Sequence, residues 1–470
     1  MTTTFYIEQF GCRATQADGA AIERQLLEQG CSLSPAAATA DVVVLNTCTV
    51  TAAADAQARD AVRKIHSLNP RAHIIVTGCY AQRAPEEIAR LAGVSYVVGN
   101  SHKPQIPRLL QSVSEAPVPC HPGLPILGVP LTSCGHSANE PVPYHRAPIL
   151  LGDISEVTDV LVAPVLGGEG NHTRPILKIQ DGCNSRCSFC VIPFVRGKSR
   201  SLPRNIVVSE IQRLADSGFH EIVLSGINLG TYGRDLSPRA DFLDLLRRIL
   251  GETSVHRLRI SSIEPQDVTQ DLIDLFASSS RIAPHFHMPL QSASDRILAA
   301  MHRWYRVEHY SRRVDLIRER LAHAAIGADV IAGFPGETQA DHAATLRFIE
   351  DRPFTYLHVF SYSQRPGTKA VSFPQHIPGH ILKIRARELR ALSESKSAAF
   401  RSSQIGRTLD LLTLRRGPEH IEPATTPALS QNYLSVLLPL PLSPNQLVTA
   451  SVTRVDGKNL LALPLDPALV

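Results

Sequence analysis

The chain has 470 residues, 43% of them hydrophobic, so several packed cores are expected and a wholly disordered protein is excluded. Its 48 Lys and Arg exceed its 43 Asp and Glu by five, a mild basic excess that permits a polyanionic partner without requiring one. No apolar run approaches a membrane span, and the first residues form neither a basic nor an apolar leader, so a cytoplasmic protein with no membrane contact is expected.

Residues 4–10 read as a strand and 15–29 as an amphipathic helix, with Thr15 as the expected N-cap and Gly30 as the stop. The run 42–46 suits a strand buried on both faces. A helix over 52–68, a strand at 73–77, a short helix from Pro85 and a strand at 95–98 follow. This alternation predicts an α/β domain over 1–103 with a doubly wound parallel sheet. Residues 104–175 are broken by Pro and Gly and read as a linker or insertion. Strands near 176–180, 221–225, 257–261, 285–289, 328–332 and 356–361, separated by helices, predict an open partial (βα)6 barrel over 176–400. Functional residues are expected at the C-terminal ends of its strands. A basic helix at about 380–400 leads to 404–470, whose short alternating runs suit a small all-β module.

Nine cysteines are too sparse for a disulfide scaffold and point to metal or redox chemistry. Cys183, Cys187 and Cys190 follow the first barrel strand with C-x3-C-x2-C spacing. Three thiolates on one loop can hold three irons of a cubane cluster and leave the fourth open, whereas a structural zinc site usually offers two C-x2-C pairs. Cys12, Cys48 and Cys79 each follow a predicted strand end, where a parallel sheet collects ligands. They suit either a second three-thiolate cluster or the packing that free cysteines favour. Cys31 reads as packing. Cys120 and Cys134 lie beside His121 and His136, but in a Pro-rich stretch that supports ligands poorly.

The segment Gln180-Asp181-Gly182-Cys183-Asn184-Ser185-Arg186-Cys187-Ser188-Phe189-Cys190-Val191-Ile192-Pro193, the Asn46-Thr47-Cys48 and Thr77-Gly78-Cys79 strand ends and the all-β tail together resemble the radical S-adenosylmethionine methylthiotransferases. The resemblance covers nearly the whole chain except 104–175. It implies two [4Fe–4S] clusters: one on Cys183, Cys187 and Cys190 that binds S-adenosylmethionine, and one on Cys12, Cys48 and Cys79 that presents the inserted sulfur. It also implies a tRNA substrate, an electron-donor protein of unknown identity, and a C-terminal RNA-binding module like the family's TRAM module. That module is expected to be removable without loss of S-adenosylmethionine cleavage.

The segments 225–233 and 362–368 look most like the branch that methylthiolates N6-threonylcarbamoyladenosine at tRNA position 37. The branches acting on isopentenyladenosine in tRNA and on a ribosomal-protein aspartate are alternatives, and a zinc-stabilised RNA-binding protein without catalysis is a further one. Among polar residues at the barrel strand ends, analogy with related radical enzymes selects Gly226, Asn228, Gln291 and Asp329 for S-adenosylmethionine. The basic stretches Arg303, Arg306, Arg312, Arg313 and Lys383, Arg385, Arg387, Arg390 read as solvated faces or as phosphate contacts.

Overall fold

Val42, Val43, Val44 and Leu45 are wholly buried, the signature of a strand covered on both faces. The computed structural model describes residues 2–114, 146–161, 173–416 and 425–466, and the chain divides into two units, Met1–Ile154 and Ser155–Val470.

The first unit runs β1 (Thr4–Gln9), α1 (Arg13–Glu28), β2 (Ser32–Leu33), β3 (Val42–Thr47), α2 (Ala52–Leu68), β4 (His73–Gly78), α3 (Cys79–Arg83), α4 (Pro85–Ala89), β5 (Val94–Val98), α5 (Ile106–Ser114) and β6 (Ile149–Leu150). Its six strands pair in parallel in the order β2-β1-β3-β4-β5-β6. Val43, Leu45 and Val76 pack with Val62 of α2 and Ile88 of α4. Val42, Val44 and Ile75 pack with Ile22 of α1 and Ile106 of α5. Successive side chains therefore serve opposite faces, as a doubly wound sheet requires.

The second unit begins with β7 (Ile176–Asp181), α6 (Ile192–Arg196), β8 (Arg200–Ser201), α7 (Arg204–Asp216), β9 (Glu221–Gly226), α8 (Phe242–Glu252) and β10 (Arg257–Ile260). It continues through α9 (Gln270–Ser278), β11 (His285–His287), α10 (Asp295–Ala300), α11 (Val307–Arg320), β12 (Ala325–Ala332), α12 (Gln339–Asp351), β13 (Tyr356–Ser361) and α13 (Gly379–Ser402). Parallel pairing joins β7-β9-β10 and β11-β12-β13, and the bridges Leu258–Ile282 and Ser262–His287 connect the two sets. The result is an open run of six parallel strands with its helices packed outside.

Five further strands, β14 (Thr408–Thr413), β15 (Thr426–Ser430), β16 (Ser435–Leu438), β17 (Leu447–Asp456) and β18 (Asn459–Pro464), close a small barrel around Leu411, Val436, Ala450 and Leu460. This barrel meets the N-terminal ends of the six strands. Arg259 of β10 donates to the Ser430 carbonyl at 3.2 Å and lies 5.2 Å from the Tyr433 ring. Glu221, at the start of β9, is fully buried and accepts from Arg174, Arg257 and Arg259.

Several sequence expectations shift. The cap of α1 is Cys12, and Thr15 is buried within the first turn. The segment read as linker contributes α5 and the edge strand β6. Lys103, just before it, is buried against Asp18 of α1 at 2.5 Å. Pro-rich composition hid these pieces because β6 spans only two residues. Arg303 and Arg385 are not phosphate contacts on an open face: both are buried, paired with Glu264 and Glu337 respectively.

Candidate active site at the strand ends

The loop carrying Cys183, Cys187 and Cys190 is held by charges and amides beneath it. Asp181, ending β7, accepts from Lys178 at 2.9 Å and from Arg196 at 2.9 and 3.0 Å. It also accepts from the Gly182 amide at 2.8 Å. Gly182 takes φ +72°, and a Cβ there would lie 2.0 Å from the Lys198 carbonyl oxygen, so only glycine fits this turn. Gln180 donates to Gly182 O and Ser199 Oγ, and its Oε1 accepts from the Asn228 amide at 2.8 Å. One buried amide side chain thereby ties the cysteine loop to the end of β9.

Within the loop the Cys190 amide donates to Cys187 O at 3.1 Å, and the Ser185 amide donates to Cys183 Sγ at 3.4 Å. Arg303 Nη1 donates to Cys187 Sγ at 3.3 Å, and its Nη2 pairs with Glu264. Burial pushes the Cys187 thiol up, with Arg303 opposing. Burial and the neighbouring Cys187 push Cys190 up to about 12. The donor set is three soft sulfurs on one short loop beside a fixed cation, which fits a polynuclear iron–sulfur group whose binding displaces the thiol protons.

Gly226 ends β9, where a Cβ would lie 2.7 Å from Leu229 and 3.0 Å from Gln180 Oε1. Asn228 and Gln291 are buried, and Asn228 Oδ1 and Gln291 Oε1 are acceptors that no donor meets among the described residues. Gln291 takes φ +61°, an unusual conformation for a residue with a side chain, held by its amide donating to Asp329 O at 2.8 Å and its carbonyl accepting from Ile331. Two buried acceptors beyond the ends of β9 and β11, the strands on either side of β10, suit a ligand carrying ammonium and hydroxyl donors.

Asp329, in the middle of β12, accepts from His287 Nε2 at 2.9 Å and faces His358 Nδ1 at 3.3 Å. Burial would raise its pKa, but the bonds from His287 and His358 prevail and hold it well below the usual carboxylate range. The chain of contacts continues from His287 Nδ1 to Tyr356 Oη at 3.0 Å and on to His285 Nε2 at 2.7 Å. Asp329 thus carries a polar web across three strands, which the alternation of residues within β11 and β13 places on one face.

In the first unit, Cys12, Cys48 and Cys79 follow the C-terminal ends of the adjacent strands β1, β3 and β4. A Cβ on Gly11 would lie 2.4 Å from Cys48 Cβ and 2.9 Å from its Sγ, and Gly11 takes φ +108°. Glycine therefore lets the Cys12 turn close over Cys48. Asn100 Nδ2 lies 3.6 Å from Cys79 Sγ, and Cys12 Sγ lies 3.6 Å from Thr15 Oγ1. Cys48 and Cys79 are buried while Cys12 is exposed. Three thiols on one sheet edge, with the backbone cleared beside them, fit a three-ligand cluster. Cys31 packs beside the core of α1, and Cys120 and Cys134 lie outside the described residues.

Sequence reading singled out the cysteines, and named Asp329 and Arg303 in other roles, but not the supporting contacts. Gln180, Lys178, Arg196, Arg303 and the His287–Asp329–His358 group act through contacts across 15 or more residues, except Lys178, whose spacing of three from Asp181 along a buried strand was the available signal.

Residues 4–99 match the family described as Uncharacterized protein family UPF0004, and residues 177–349 match the Radical SAM superfamily. The Threonylcarbamoyladenosine tRNA methylthiotransferase MtaB of Aquifex aeolicus (strain VF5) is 34% identical over 430 residues, 91% of this chain and 95% of that protein. The tRNA-2-methylthio-N(6)-dimethylallyladenosine synthase of Chlorobium phaeobacteroides (strain BS1) is 32% identical over 424 residues, 88% of this chain and 86% of that one. Among solved structures, the radical S-adenosylmethionine methyltransferase TsrM from Kitasatospora setae, with cobalamin and a [4Fe-4S] cluster bound, superposes with a TM-score of 0.55 at 17% identity, covering 79% of this chain and 77% of that one. That likeness is one of fold.

Proposed function

Because the chain belongs to the radical S-adenosylmethionine methylthiotransferase family, we propose that it converts N6-threonylcarbamoyladenosine at tRNA position 37 to its 2-methylthio derivative. The observation that carries this reading is the match, over nearly the full length of both chains, to relatives named for that nucleoside in Aquifex aeolicus and Bacillus subtilis. The chain is therefore a transferase, and the zinc-stabilised, non-catalytic alternative falls.

Cys183, Cys187 and Cys190 would hold one [4Fe–4S] cluster, and Cys12, Cys48 and Cys79 the other. When bound, the clusters and S-adenosylmethionine supply one-electron cleavage to a carbon radical and the sulfur and methyl group that are transferred. The residues around them bind and orient. Asn228 Oδ1 and Gln291 Oε1 accept from the amine and hydroxyl groups of S-adenosylmethionine, and Gly226 leaves room beside Gln180 for its close approach. Arg303 fixes Cys187 against the end of β10, and Asp329 holds the His287 and His358 rings in place. The closed barrel of β14–β18 serves as the TRAM-like tRNA-holding module. Reducing electrons come from a separate donor protein, and the reaction belongs in the cytoplasm. No helix among the described residues is long and apolar enough to cross a membrane.

A second reading has a specific observation behind it: the dimethylallyladenosine synthase relatives match at nearly the same identity. Nucleoside analysis of tRNA from a strain lacking the gene decides between them. Loss of methylthiolated threonylcarbamoyladenosine alone is expected. Loss of methylthiolated isopentenyladenosine instead would transfer the assignment to the other nucleoside, and an unchanged digest would remove tRNA as the substrate.

A further inference from the structure

Trp304 is the only tryptophan in the chain, and 75% of it is exposed. Both neighbours are buried and anchored. Arg303 turns inward to Cys187 and Glu264, and the Tyr305 hydroxyl donates to the carbonyls of Pro289 and Leu290 at 2.7 and 2.8 Å. The backbone under the indole is thus fixed from both sides, so the exposed ring is carried at a defined place on the surface.

The ring rims a cavity of about 350 Å³ at the C-terminal ends of β7, β9 and β10, whose other walls include Asn184, Ser185, Thr231, Arg234 and Gln266. Asn184 and Ser185 belong to the cysteine loop itself. Arg234 is largely exposed, and its pair with Asp267 at 2.9 Å uses only one of its two terminal nitrogens. The lining is therefore one flat apolar face set among amides, hydroxyls, a guanidinium and the Asp235 carboxylate, whose two oxygens accept from the Ser201 amide and hydroxyl. An apolar peptide would leave those polar walls unmatched. A nucleotide matches both parts, with its base on the indole and its phosphate near the guanidinium, and the volume suits a single one.

We propose that Trp304 is a stacking platform for an unpaired nucleotide flanking the target adenosine, with Arg234 meeting the adjoining phosphate. The inference rests on the tRNA reading above. A target base that reaches the cysteine loop at the strand ends draws the neighbouring nucleotides of the same strand across this rim. Stacking on an aromatic side chain tolerates any base, so the platform contributes affinity and register rather than sequence choice.

The test measures binding of a fluorescently labelled anticodon stem–loop to the anaerobically purified holoenzyme by anisotropy, for wild type, Trp304→Phe and Trp304→Ala, at several salt concentrations. Equal iron content and circular dichroism confirm that each variant is folded. Trp304→Ala is expected to weaken binding about ten-fold, and Trp304→Phe about two- to three-fold. The salt slope should stay unchanged, because no phosphate contact is lost. An abasic site at one loop position beside the target should erase the difference between wild type and Trp304→Ala. Equal affinities for wild type and Trp304→Ala, or a loss that no abasic position erases, overturn the platform. If wild type methylthiolates tRNA under those same conditions, the proposed function stands while this inference falls. If wild type neither binds nor modifies tRNA, both fall.

Discussion

Arg303 donates to Cys187 Sγ at 3.3 Å and pairs through its other terminal nitrogen with Glu264, so one buried guanidinium joins a loop thiol to the segment after β10. Arg303→Met keeps much of the volume and removes the charge. A hydrogen bond to a charged group contributes about 1.5–3 kcal/mol. A cation donating to sulfur favours the more negative, reduced cluster, so its loss should lower the potential. A difference of about 1.4 kcal/mol between redox states corresponds to about 60 mV for one electron. Spectroelectrochemical titration of a variant lacking the first-unit cysteines isolates this cluster, and an unchanged potential would show that the contact is only structural.

The two cysteine trios should separate by readout. Replacing Cys183, Cys187 or Cys190 by Ala is expected to abolish 5′-deoxyadenosine formation, because two thiolates hold the barrel cluster poorly. Replacing Cys12, Cys48 and Cys79 together should leave that cleavage largely intact and eliminate methylthiolated product. Product at the wild-type rate from the triple variant would make the first-unit trio structural.

Glu221 gives a pH dependence with a definite sign. Burial pushes its pKa up, but Arg259, Arg174 and Arg257 prevail and hold it at about 2. A folded-state value below the ordinary 4.5 means its stabilisation is fully present above that value and is lost as pH falls toward 2. Glu221→Gln leaves buried arginines uncompensated and should destabilise by about 3–5 kcal/mol at neutral pH, with the gap to wild type closing on acidification. Thermal or urea unfolding between about pH 7 and 3 measures this, and a constant gap would contradict it.

Removing 404–470 should now do more than weaken tRNA binding. The module covers Arg257 and Arg259, which donate to the carbonyls of Asp410 and Ser430. The truncated chain is expected to lose thermal stability and, with it, part of its S-adenosylmethionine cleavage at 37 °C. A truncation that melts with wild type and cleaves normally would restore the view of a detachable tail.

Asp329→Asn should loosen His287 and His358, since both imidazoles meet the same carboxylate oxygen and the carboxamide removes the negative charge that strengthens those bonds. A roughly ten-fold or greater drop in product with iron content preserved is the expected outcome. An altered pH profile for the variant would separate a positioning role from simple loss of fold.

What was legible in the sequence was local. Runs such as Val42–Leu45 declare a strand by themselves, and three cysteines within eight residues declare a ligand loop. The supports were hidden because charge alone does not say which way a side chain turns. Arg303 and Arg306 look alike three residues apart, yet one is buried against Glu264 and the other exposed. Within the all-β module the strand β15 is hard to read from the sequence because Pro427 interrupts its pattern, whereas the runs of its partners β14 and β16 are uninterrupted.

The small closed barrel meets the N-terminal ends of the six parallel strands, and the cysteine loop leaves their C-terminal ends. A strand of six residues such as β9 spans about 20 Å. On the proposed function, an RNA gripped by the module would have to extend along the flank of the barrel to deliver a base to the loop. That separation acts as a ruler. A free nucleoside or a very short oligonucleotide reaches one end only, so reach along the RNA becomes a criterion of selection alongside the chemistry of the base.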